Sequence, residues 1–290
     1  MVCEVKALAC SLPAETGRPL SRWSREELRR EVQRRGLVAE VSGSTIWRWL
    51  SEDAIRPWSH RSWIFPRDPL FTAKAERVLD LYHRQWEDHA LDPNDFVISA
   101  DEKTQLQIRE RLHPSAPTRP GRPMRVEHEY RRHGTCAYQA AWDVHHARLF
   151  GHVVPSSTIK AFDALVAQVM KQEPYASANR VFWIVDNGGI HRGQSSITRL
   201  EGQWENLRLI HLPVHASWLN QIEIYFSIVQ RKAWTPDDFD SFDAARDRLL
   251  GFQAHYQAIA EPFEWKFTRE DLYLLLERLE SSPAPLRVAA

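Results

Sequence analysis

A mixed α/β sheet covered by helices and preceded by a small helical domain is the fold the sequence predicts. Three observations carry that prediction. From residue 95 the chain reads strand, strand, strand, helix, strand, helix, strand and then helices, the order of a sheet clad on its faces. The runs FVISA and VFWIV are almost wholly apolar, as buried strands are. The first 70 residues show capped helical patterns and no strand signal.

The elements follow in order. Ser24 with Glu27 forms a capping box, and the helical run EELRREVQRRG stops at Gly36. A tight turn around Val41–Gly43 leads to a second helix, STIWRWLSED, with Ser44 expected as its cap. Two short helices so joined, the second bearing Ser44, Thr45, Trp47 and Arg48, suit a helix-turn-helix that reads DNA. Residues 56–70 contain three prolines and read as an extended basic and aromatic linker. A helix is predicted over Thr72–Asp88, with Ala75, Val78, Leu79, Tyr82 and Trp86 on one face. The boundaries that result are a helix-turn-helix domain at 1–56, a linker and connecting helix at 57–90, and a catalytic domain at 91–290.

In the last of these, DFVISADEKT reads as a strand ending in acids, and GTCAYQAAWDVHH with ARLFGHVVP as a hairpin. Helices are predicted over Thr158–Lys171 and Ser195–Trp204, strands at RVFWIVDNGG and LRLIHLP, and helices near 218–232, 240–258 and 268–280.

Composition is that of an ordinary globular chain, 43% hydrophobic and 26% charged over 290 residues. No apolar run approaches the length of a membrane span, and the N-terminus is a poor secretory signal. Cys3, Cys10 and Cys136 form no CxxC pattern, so a reducing cytoplasm is the expected setting, and no histidine joins a cysteine motif of the zinc-binding kind. Formal net charge is zero, yet residues 109–132 hold seven arginines against three glutamates. A chain neutral in sum can grip a polyanion locally.

Asp101 and Asp186 each follow an apolar strand. A buried strand has no use for a carboxylate unless it is paired or binds a cation. Glu223 lies on a helix expected to start near Trp218, sharing a face with Asn220 and Ser227 while Trp218, Ile222, Tyr225 and Val229 turn to the core. Singly, each acid reads equally well as a turn residue or a surface ion pair, for Glu223 with Arg231 or Lys232. Together they match a site for two hard divalent cations, which oxygen ligands suit and which drive in-line displacement at phosphorus.

The blocks VISADEKT, GRPMRVEHEY, FWIVDNGGIHRG and PVHASWLNQIEIYFSIVQRK resemble mariner-like DDE transposases of the bacterial insertion-sequence 630 family. The resemblance is dense over residues 95–235 and extends from about 8 to 280. It implies a ribonuclease-H-like fold, Mg2+ dependence with Mn2+ as substitute, and cut-and-paste movement of an insertion sequence. Asp101, Asp186 and Glu223 become the catalytic and metal-binding triad, with 36 residues between the last two. The implied partners are double-stranded DNA, as terminal inverted repeats and TA target, and a second copy of the chain bound with it; a bacterial nucleoid location follows.

Two departures stand out. Relatives usually carry a first helix-turn-helix upstream, so a truncated, DNA-binding protein without catalytic activity is the alternative expectation. Gly189-Ile190 stands where relatives usually carry two small polar residues. A nuclease that hydrolyses without strand transfer is a third reading. Around the triad, Asn187, His191 and Asn220 are expected to support the site or touch the scissile phosphate, and Arg119, Arg122 and Arg125 to clamp DNA phosphates.

Overall fold

The computed structural model describes residues 1–60 and 66–280, and the chain divides into two compact units, Met1–Ile64 and Phe65–Ala290. Of the expected linker, residues 61–65 lie outside the described residues.

The first unit holds helices α1 (Val2–Ala9), α2 (Arg25–Arg34) and α3 (Gly43–Glu52) around Val5, Leu8, Trp23, Leu28, Val32, Ile46 and Leu50. The capping box at α2 forms as the sequence predicts: Glu27 N donates to Ser24 Oγ at 3.2 Å and Ser24 N to Glu27 Oε2 at 2.9 Å. Gly36 stops the helix with φ +68°, a conformation open to glycine. The connection then runs over residues 35–42, longer than the tight turn expected, and the cap of α3 is Ser42 rather than Ser44. Ser42 Oγ accepts from Thr45 N at 3.1 Å and also bonds the Ser44 hydroxyl at 2.8 Å. Glu31 is buried and accepts from Arg18, Arg34 and Arg35, tying α2 to the segment before it.

The second unit opens with α4 (Phe71–Tyr82). This helix ends six residues before the predicted Asp88, because Arg84, Glu87 and Asp88 all take positive φ. They form a small hairpin of β1 (Gln85–Trp86) and β2 (His89–Ala90), from which Trp86 packs on Phe182 at 4.7 Å between ring centroids.

The main sheet comprises β3 (Asp95–Arg111), β4 (Tyr130–Asp143), β5 (Leu149–Val154), β6 (Arg180–Val185) and β7 (Leu207–His211), in the order β5-β4-β3-β6-β7. β3, β4 and β5 pair antiparallel, whereas β6 lies parallel to β3 and β7 parallel to β6. The parallel connections are α5 (Ile159–Met170), capped by Thr158, and α6 (Gly193–Gln203). After β7 come a 3-10 turn at Ser217–Leu219, α7 (Ile222–Val229) running into a π turn, α8 (Phe242–Gln257) and α9 (Arg269–Glu280). This is the ribonuclease-H-like mixed sheet that the sequence predicts.

Strand alternation assigns the two faces. Phe96, Ile98 and Ala100, with Val181, Trp183 and Val185, pack against Phe162, Leu165, Val166 and Val169 of α5. Val97, with Phe182 and Ile184, packs in the core that includes α4, α7 and α8. Ser99 and Asp101 share the parity of Val97, so both project toward α7.

Two predicted boundaries are corrected on β3 and α7. β3 does not end at Asp101 but continues to Arg111, kept in the sheet by buried Leu106 and Ile108 and by pairing with β4 across register shifts. The α7 helix starts at Ile222, not near Trp218, since Asn220 has an extended ψ of 112°.

Candidate active site

Asp101 and Asp186 meet because of strand register. The β3–β6 ladder ends at Ser99 opposite Ile184, two residues short of each acid, so the chains deliver both carboxylates to one edge of the sheet. Such strand ends, where a parallel sheet opens, are where α/β folds build their sites. Asp101 is 6% exposed and Asp186 half-buried.

A buried polar network fixes Asp101 from beneath. Asn220 Nδ2 donates to Asp101 Oδ2 at 3.3 Å and to Ala100 O at 3.1 Å, while its Oδ1 accepts a short bond from the Ser99 hydroxyl. Ser99 Oγ in turn accepts from Ile222 N at 2.9 Å, which seats the first turn of α7 on β3. Tyr82 extends the tie to α4, donating to Leu219 O at 2.7 Å and accepting from Gln221 N. Asn220 thus bonds Asp101 from the turn before α7, not from the helix face that the sequence predicts. Sequence reasoning missed Ser99 and Tyr82; a serine inside an apolar strand and a tyrosine on a core stripe are the signals that point to them.

Asp186 is held through Oδ1, which accepts from Gly188 N at 2.6 Å and from His191 Nδ1 at 2.9 Å. Asn187 turns away and donates to Leu212 O at 2.6 Å, bracing the turn against the end of β7. His191 is fully buried, with Phe162 edge-on at 4.3 Å and its Nε2 3.2 Å from Glu102 Oε2. That burial disfavours the expected contact with a scissile phosphate. Glu102 is a third residue that sequence reasoning missed, although it adjoins Asp101.

The electrostatics are those of closely spaced carboxyl groups beside a buried histidine. Burial, followed by the charge of Asp186, pushes the Asp101 carboxyl up to about 8. Burial opposes the Asp186 carboxylate too, but the bonds from His191 and Gly188 outweigh it and hold that group below its ordinary value. Burial also works against a charged His191, and Asp186 and Glu102 overcome it, raising the ring to about 9.

One ligand atom from each of Asp101, Asp186 and His191 lies within 4.8 Å of the others. Glu223 is outside that cluster, exposed on the first turn of α7. Burial and then the Asp186 charge raise its carboxyl, offset by Lys103, so it borders the same field. Among the described residues it forms no ion pair with Arg231 or Lys232. A buried and a half-buried carboxylate at one sheet edge, with a third on the helix above, fit hard divalent cations by donor type, and a cation there would relieve the repulsion that adds to burial in lifting Asp101.

The remaining candidates lie elsewhere. Arg119, Arg122 and Arg125 are exposed on an arm that continues β3 and β4: Ala116 pairs with Arg125, and Arg119 with Arg122 around a Pro120-Gly121 tip. On α3 in the first unit, Ser44 and Arg48 are exposed, Thr45 is half-buried and Trp47 is 49% exposed. No described helix is long and apolar enough to cross a membrane.

Solved structures of similar fold are known. The Mos1 transposase paired-end complex with left transposon end has a TM-score of 0.53 at 15% identity, covering 97% of this chain and 76% of that one. The mariner Mos1 paired end complex with Mg gives 0.53 at 14% identity, with 97% and 77% covered. The Mos1 strand transfer complex gives 0.51 at 15%, with 97% and 76% covered. Identity this low speaks for a shared fold. No curated protein matches the sequence. The model of the DDE superfamily endonuclease domain matches residues 97–246, which include all three acids, and the chain belongs to that superfamily.

Proposed function

We propose that the chain is a transposase that uses this sheet edge for metal-dependent DNA cleavage and strand transfer, moving an insertion sequence by cut and paste. The observation that carries the reading is the meeting of Asp101, buried, and Asp186, half-buried, beside the helix bearing Glu223. Two Mg2+ ions, or Mn2+ in their place, held by these three acids would activate the attacking oxygen and stabilise the leaving one. The chain's own part is to orient the ligands. Asn220 holds Oδ2 of Asp101, and Gly188 and His191 hold Oδ1 of Asp186. No side-chain nucleophile is needed, since water and then a DNA 3′-hydroxyl attack phosphorus.

The resemblance to mariner-like enzymes of the insertion-sequence 630 family supports the finer reading: terminal inverted repeats and a TA dinucleotide as DNA partners, and two copies of the chain bringing two ends together. In it, Arg119, Arg122 and Arg125 grip phosphates, and Ser44, Thr45, Trp47 and Arg48 of α3 face a DNA groove. A two-DNA assay with Mn2+ tests the transfer step. A joined product, absent with Asp186→Asn, supports transposition; cleavage with no joined product reduces the activity to that of a nuclease.

A further inference from the structure

His191 is set apart from the other polar groups of the site. It is fully buried, yet both ring nitrogens face carboxylate oxygens: Nδ1 lies 2.9 Å from Asp186 Oδ1 and Nε2 lies 3.2 Å from Glu102 Oε2. A ring so placed donates a hydrogen bond from Nδ1 to Asp186, while Nε2 faces Glu102 at ion-pair distance without completing a hydrogen bond. Its main chain is held as well, because His191 O accepts from His211 Nε2 at 2.7 Å and His191 N donates to Gly188 O at 3.1 Å. Phe162 closes against the ring edge-on, which leaves it one orientation. On the acid, Oδ1 takes both the histidine and the Gly188 N–H, and among the described residues no hydrogen bond goes to Oδ2.

We infer that His191, facing Glu102 at ion-pair distance, is a positioning residue that clamps Oδ1 of Asp186 and so directs Oδ2 toward the cations bound with Asp101. The inference rests on the metal-site reading above. Glu102 and Asp101 are consecutive on β3, so the carboxylate paired with the histidine issues from the same stretch of strand as the other ligand. A carboxylate pinned at one oxygen loses little rotational freedom when its other oxygen binds a cation. Outer partners of this kind typically change metal affinity by about 10- to 100-fold.

The test is Mn2+ binding to the full chain, read from the free-ion electron paramagnetic resonance signal, beside the Mn2+ concentration giving half-maximal nicking. Three variants are compared with wild type: His191→Ala, His191→Asn, which keeps an amide donor near the Nδ1 position, and Glu102→Gln, which keeps the side-chain volume. His191→Ala is expected to weaken Mn2+ binding about tenfold or more and to raise the half-maximal concentration by a similar factor. His191→Asn should recover much of that loss, and Glu102→Gln should show a smaller shift in the same direction. Should burial make His191→Ala unfold, as a circular dichroism melt would reveal, Glu102→Gln carries the test alone. Unchanged Mn2+ binding in folded His191→Ala, or in Glu102→Gln if that variant stands alone, overturns the inference. Asp186→Asn separates the two levels: if it also binds Mn2+ as wild type does, the metal-site reading fails; if it alone loses binding, only the role of His191 fails.

Discussion

The middle of strand β3 and the arm beyond its far end are built on opposite principles. At Asp101 the chain is buried: its Oδ1 accepts from Glu102 N and its Oδ2 from Asn220 Nδ2, while Oδ1 of Asp186 accepts from Gly188 N and His191 Nδ1. About ten residues further on, roughly 30 Å of extended chain, the arm carrying Arg119, Arg122 and Arg125 is held by main-chain pairing, with its base pinned by Arg111 to Glu127 O and Pro236 O. The arginines themselves are exposed. The difference teaches where rigidity is needed. On the proposed function, cation ligands must be fixed to fractions of an ångström, whereas arginines that meet a phosphate need reach and charge.

The sharpest way to break that contrast is at Gly188. A Cβ there would stand 2.8 Å from Asp186 Oδ1, so Gly188→Ala must displace the carboxylate. Its Mn2+-dependent cleavage rate is expected to fall by about tenfold or more with the fold intact, a loss on the scale of disturbing a ligand's support. An equal rate would mean that Asp186 is not held as tightly as its bonds imply.

On the arm, changing Arg119, Arg122 and Arg125 together to Ala should leave the melting temperature unchanged. DNA affinity should drop at every sequence tried, and the slope of log K against log salt should flatten by about one for each phosphate no longer neutralised. Fluorescence anisotropy across a salt series measures this. A drop confined to one sequence would make the arm a reader of bases instead.

Asn220→Ala removes the amide shared by Ser99, Ala100 and Asp101 and leaves buried polar groups unpaired. A cost of about 1–3 kcal/mol is expected in denaturant unfolding of the second unit. The arm variant should show none.

The smallest effect is on pH dependence. Asp101 is raised from 3.8 to about 8 and His191 from 6.5 to about 9, so both contribute stability that is present at low pH and lost as pH rises through those folded-state values. Asp186, lowered from 3.8, acts the other way and only below about pH 4. Metal-free protein should therefore melt at progressively lower temperature from pH 6 to 9, and Mn2+ should flatten the trend by offsetting the carboxylate repulsion. The arm arginines, exposed and always charged, should leave the slope unaltered.

Much of this contrast is legible in the sequence, because local chemistry sets it. VFWIV followed by an acid is readable as a buried strand opening into a site, and Ser24 with Glu27 as a helix start. What is hidden there depends on pairing between distant residues. The Ser99–Asn220 bond joins residues 121 apart, and neither residue advertises it. By its pattern β3 finishes at Asp101, since the polar run beyond it lacks a continuous apolar face, yet β4 pairs with it as far as Arg111. The arm is legible as basic but not as a hairpin, for its cross-strand bonds leave no hydrophobic alternation to read. Ser42 and Ser44 both suit the cap of α3, and only the backbone of the turn decides for Ser42.

The central claim is that Asp101 and Asp186 together hold the cations that cut DNA. Its most direct test is nicking of duplex DNA carrying the repeats that flank the encoding locus, with Mg2+ or Mn2+, wild type beside Asp101→Ala. The account predicts nicks that require the metal and disappear in the folded variant. Nicking that persists in Asp101→Ala, or that needs no metal in the wild type, would contradict it.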